Sequence, residues 1–106
     1  MAKFLLQASY TTEGLKGLLK DGGSKRRAAA EEAVKSVGGK VEAFYFAFGD
    51  SDAIVIVDAP DNVSATAVAL AVNASGAVHS KTTVLLTPAE VDQATKKTVS
   101  YRPPGH

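Results

Sequence analysis

The chain has no cysteine and no tryptophan, a single methionine, four prolines and almost no net charge across its 106 residues. Without cysteine there is no disulfide framework, no thiolate nucleophile and no thiolate-ligated zinc or iron–sulfur centre. Twelve Lys and Arg against eleven Asp and Glu leave a formal charge of +1, too even to drive binding to a polyanion, so neither nucleic acid nor an anionic membrane is expected as a partner. No apolar run approaches the length needed to cross a bilayer. The opening Met1-Ala2-Lys3-Phe4-Leu5-Leu6-Gln7 has too short an apolar stretch for a signal-peptide core. A cytoplasmic location is the expectation.

What is present is an ordinary globular balance, 45% hydrophobic and 22% charged, in a length that suits one domain with a thin core. The most informative stretch is Phe48-Gly49-Asp50-Ser51-Asp52-Ala53-Ile54-Val55-Ile56-Val57-Asp58-Ala59-Pro60-Asp61. An acidic turn leads into an apolar strand that stops at a proline. Because Ala53 to Val57 shows no polar alternation, both faces of that strand should be covered.

Phe4 to Tyr10 reads as a first strand, with Phe4, Leu6, Ala8 and Tyr10 on one face and Leu5, Gln7 and Ser9 on the other. Thr11 or Thr12 can cap a helix carrying Leu15, Leu18 and Leu19. Asp21-Gly22-Gly23 interrupts it, and Ser24 is placed to cap a second segment with Ala29, Ala30, Ala33, Val34 and Val37 as its apolar stripe. Gly38 ends that segment. A second strand is expected over 40–48, with Phe44, Phe46 and Phe48 alternating with Tyr45, and 49–52 forms the hairpin turn. The third strand ends at Pro60. Asp61 or Asn62 then caps an alanine-rich helix from Val63 to about Ser75, with Val63, Ala67, Leu70 and Ala74 as its packing face. A fourth strand spans about 78–86, and Thr87-Pro88-Ala89-Glu90 has the capping-box spacing with a first-turn proline, opening a short helix to about Lys97. Residues 98–106 read as a tail after a domain of residues 1–97.

The order strand, helix, strand, strand, helix, strand is that of the ferredoxin-like fold, an α+β class with a four-stranded antiparallel sheet and helices on one face. Strands one and three should be central, and the fourth, with His79, Ser80, Lys81, Thr82 and Thr83, an edge. The face without helices would leave an apolar patch in a lone monomer, so a second sheet should cover it.

At Phe48-Gly49-Asp50-Ser51-Asp52 and Asp58-Ala59-Pro60-Asp61 the chain resembles the GYD domain family. Further likeness lies in Ser9-Tyr10-Thr11 with Gly14-Leu15, in Gly38-Gly39-Lys40, in Ala74-Ser75-Gly76-Ala77-Val78, and in Leu86-Thr87-Pro88 with Glu90. Ser51 stands where the family's pattern has an aromatic residue. The resemblance covers about residues 3–92 and implies a dimeric α+β barrel of two face-to-face sheets; it implies no reaction.

Several residues carry chemistry worth placing. Asp50 and Asp52 can offer oxygens to a hard cation, but such a site takes about six ligands, and Asp is equally at home bonding backbone amides in a turn. His79 suits acid–base work, although on an edge strand it reads first as a solvated residue. Lys25, Arg26 and Arg27 sit in a helix's first turn, where the dipole disfavours cations and a phosphate or carboxylate would be welcome. Pairing with Glu31 and Glu32 is the plainer account. Arg27 is the one chosen as a ligand-binding candidate, since the resemblance implies an arginine in this region. Tyr10 and Tyr45 are expected near the space between sheets. Phosphate-loop, Ser-His-Asp and metalloprotease patterns are absent, and no metal or cofactor is expected.

The expected function is that of a homo-oligomeric module holding a small molecule between its sheets. Two alternatives stand beside it: a cofactor-independent oxygenase or isomerase of the dimeric barrel type, and a ligand-sensing module acting on a partner protein.

Overall fold

A computed structural model describes residues 1–106. Its elements run β1 (Ala2–Tyr10), α1 (Thr12–Asp21), α2 (Gly23–Lys35), β2 (Lys40–Phe46), β3 (Ala53–Ala59), α3 (Asn62–Ala74), β4 (Val78–Leu85) and α4 (Pro88–Thr95). All four strands pair antiparallel in the order β2-β3-β1-β4. The ferredoxin-like arrangement therefore holds, with β1 and β3 central and β2 and β4 at the edges.

Local signals set most boundaries. Thr11 caps α1 by accepting from the Gly14 amide, Asp61 caps α3 through Ser64, and Thr87 with Glu90 closes a reciprocal capping box on α4. Those bonds hold the Asp61 and Glu90 carboxyls below their ordinary pKa, chiefly through the backbone amides of Ser64 and Thr87. Gly22 takes φ 82° at the break between α1 and α2, a conformation costly to any residue with a Cβ. Ser24 does not cap α2. The helix begins at Gly23, Gly22 takes the cap position, and no side chain bonds the free amides there.

Eleven residues are buried, and the connected core is Phe4, Leu6, Val34, Val55, Val57, Ala59, Ala65 and Val68. It lies between the sheet and α2 and α3. Burial alternates along β3: Ala53, Val55, Val57 and Ala59 face the helices, and Ile54, Ile56 and Asp58 face away and are half-buried.

The packing face of α3 differs from the expected one. Ala65 and Val68 are buried and Val72 packs beside them, whereas Val63 is 79% and Leu70 67% exposed. Both stripes of this helix are apolar, so spacing alone could not choose between them; the chain's exit from β3 at Pro60 does. Strand two also ends two residues early, because Phe48 adopts φ 55° and leaves the ladder. Its ring stacks on Phe46 at 5.8 Å, and Phe46 meets Phe44 edge-on at 5.1 Å.

The molecule is elongated, 56 × 33 × 22 Å, with a radius of gyration of 16.8 Å, well above the roughly 13 Å of a compact chain of this size. Beyond β4, α4 has no buried residue and 98–106 forms neither helix nor strand, leaving Val91, Val99 and Tyr101 exposed.

Candidate functional site

Register assigns every strand residue to one of two faces. On the face away from the helices, three rows cross the sheet. Asp58 sits between Lys40 and Lys3; Ile56 lies between Ala43 and Leu5, with Thr83 beyond; Ile54 lies between Tyr45 and Gln7, with Lys81 beyond. Ser9 faces His79 at the far end. The open face is thus charged at one rim, apolar in the middle and polar at the other rim. At the charged rim Lys3 Nζ donates to Glu42 and Asp58 at 2.8 Å each, and these bonds, that to Asp58 foremost, raise its pKa. A register shift between Val41 and Ala43 puts Glu42 in a β-bulge.

At the polar rim a cleft of about 210 Å³ is lined by Gln7, Ser9, Asp50, Ser51, His79 and Lys81, together with Ser80. The hairpin turn brings Asp50 to the first residues of β4, so two residues singled out separately in sequence share one pocket. Tyr45, 70% exposed, stands on the same face two strands away. Asp52 does something else. Its carboxylate accepts from the Tyr10 amide at 2.8 Å, and its own amide donates to Ala8 O at 2.8 Å, which extends the β1–β3 ladder past its last pair. It is a structural turn residue, and no cluster of three or more His, Asp or Glu side chains gathers anywhere in the chain.

Tyr10 is not on this face. It lies with Phe4, Leu6 and Ala8 on the helix side, so Tyr10 and Tyr45 are separated by the sheet and cannot share a site. Arg27 is exposed and its Nε donates to Glu31 at 3.1 Å, one helical turn on. The arginine in a notable position is its neighbour. Arg26 lines a cavity of about 120 Å³ between the sheet and α2 and α3, where fourteen of sixteen lining residues are hydrophobic and Arg26 and Ser80 are the exceptions. Its Nε is buried without a hydrogen-bond partner, and it forms no ion pair.

The cavity has a sequence origin. Ala53, Ala8 and Ser80 form one row across β3, β1 and β4, and Ala29, Ala30 and Ala33 of α2 line the space from the helix side. Small residues on both layers leave a gap that larger ones would fill.

The family model of the GYD domain matches residues 4–95. This chain belongs to the GYD domain family. No curated protein and no solved structure matches it. In this GYD domain the acidic side chains of the turn after β2 divide, with Asp50 lining the cleft and Asp52 committed to the β1–β3 ladder. Arg26 could not be told from Arg27 by spacing, because adjacent residues of a helix point about 100° apart and nothing in the sequence says which direction meets the sheet.

Proposed function

We propose that this GYD domain is a self-associating, non-catalytic module in which two copies stack their open sheet faces into an α+β barrel and hold a small molecule between them. One observation carries the reading: β3 is apolar on both faces, and helices cover only one. Leu5, Ile54, Ile56 and Ala43 are left half-buried at the centre of a face whose two rims are polar, the distribution of a protein interface with an apolar core and a wet rim. His79 and Tyr45 are the groups on that face suited to orienting a ligand. The projecting α4 and tail, with Val91, Val99 and Tyr101 uncovered, suit a strap across the second copy.

Sedimentation equilibrium at micromolar concentration should give a dimer or an assembly of dimers. Ile56→Lys should sediment as a folded monomer, since the new ammonium sits in the middle of the face and leaves the helix-side core untouched. A monomeric parent protein, or an Ile56→Lys variant that still associates, would remove the stacked-face reading.

A catalytic role draws on the placement of His79 and Asp50 around one cleft, where an oxygenase or isomerase without cofactor would need a group for proton transfer. His79→Ala separates the roles. The side chain is exposed on an edge strand, so the change should alter stability by less than about 1 kcal/mol, while a molecule retained by the parent in native mass spectrometry should be lost. Retention unchanged in the variant would take His79 out of the site.

A further inference from the structure

Stacking of the open faces leaves the cavity on the other side of the sheet without a purpose. We propose that this cavity is a second, independent binding site, for a compact hydrophobic carboxylic acid whose apolar body fills the space beneath α2 and whose carboxylate pairs with Arg26. Three observations point the same way. The space is built by small residues in both layers, and its roughly 120 Å³ is close to the volume at which an apolar protein cavity takes up a single benzene-sized molecule. Its lining is almost wholly apolar, so the body of the ligand must be apolar too. The one charged group at its wall is a guanidinium with a buried Nε lacking any acceptor, and a buried donor of that kind carries a standing cost that an incoming oxygen removes.

Access is also built in. The cavity shares Tyr10, Arg26, Ala33, Val72 and Val78 with an outer cleft of about 380 Å³ that Glu13 and Asp21 help line. Neither carboxylate pairs with Arg26. Arg26 thus stands where the apolar chamber meets the cleft, the place for the polar end of a ligand that enters body first. The two acidic groups at the cleft disfavour multiply charged anions, which narrows the ligand to a single carboxylate.

Isothermal titration calorimetry of the full chain with benzoate, toluene and inorganic phosphate tests this. Benzoate should bind with a dissociation constant at or below about 1 mM, toluene more weakly, and phosphate not at all. Arg26→Gln should weaken benzoate at least about tenfold and leave toluene unchanged. Ala30→Val, a milder filling than leucine, should abolish both while keeping the parent's circular dichroism and a melt at least as high. Three results would overturn the proposal: no heat from benzoate, benzoate affinity unaltered in Arg26→Gln, or phosphate binding as well as benzoate, which would make the site a simple anion cradle at the start of α2.

Discussion

Val57→Asp should yield no folded protein: circular dichroism should show a disordered chain, and expression should give inclusion bodies. Val57 is 3% exposed, pairs with Phe4 and Val41 across its two neighbouring strands, and lies in an entirely apolar environment with Leu6, Val34, Ala65 and Val68. A carboxylate placed there finds no cation and no donor. Such a burial costs several kcal/mol even after the group takes up a proton, against a total stability of about 5–15 kcal/mol for a domain of this size. Position matters more than residue type, because Ile56, the neighbour on the opposite face, is expected to accept a lysine and remain folded. A soluble, native-like Val57→Asp would mean that β3 is not under the helices.

Gly14→Ala should lower the melting temperature by at least about 10 °C, from a destabilisation of about 3 kcal/mol. Gly14 is buried in the first turn of α1, and a Cβ there would fall within the carbonyl oxygen of Ala77 and against the ring of Tyr10. Backbone cannot step aside as a side chain can. The same spot is where the chain is pinned: the Thr11 amide donates to Ala77 O at 3.0 Å, and its hydroxyl reaches Gly76 O at 3.0 Å. Moving α1 outward to relieve the clash would break this fastening between the end of β1 and the entry to β4. A melt within about 2 °C of the parent would show that α1 adjusts freely and that the close approach is incidental.

The parts of the fold that were legible in the sequence are those written in local chemistry. Thr11, Asp61 and Thr87 with Glu90 announce helix starts because their side chains satisfy amides that have no other partner, and Pro60 ends β3 because it can offer no amide. The alternation of β1 assigns Tyr10 to the same face as Phe4, but which side the helices cover is decided by the whole topology. For that reason the two tyrosines could be read as neighbours when a sheet divides them. The site was legible only in fragments. His79 and Asp50 are twenty-nine positions apart, and their shared cleft depends on the β1–β4 register; the helix-side cavity depends on small residues from four elements meeting in two layers. Absence of bulk leaves little trace in a linear pattern, and Ala29, Ala30 and Ala33 look like ordinary helix formers until something is seen to be missing beneath them.

The central strand has a further consequence away from the native state. Ala53-Ile54-Val55-Ile56-Val57 is uncharged, rich in β-branched residues and free of proline, the composition that zips into cross-β stacks when exposed. In the folded chain both its edges are occupied by β1 and β2, and no other chain can add to it. Its flanks are guarded as well: Asp50 and Asp52 precede it, and Asp58, Pro60 and Asp61 follow within four residues. Such gatekeepers repel or block the lateral growth of fibrils from a transiently open chain. Neutralising the four aspartates should weaken the native fold at the Asp52 ladder contact, the Asp58–Lys3 ion pair and the Asp61 helix cap, and should make thermal unfolding end in aggregate.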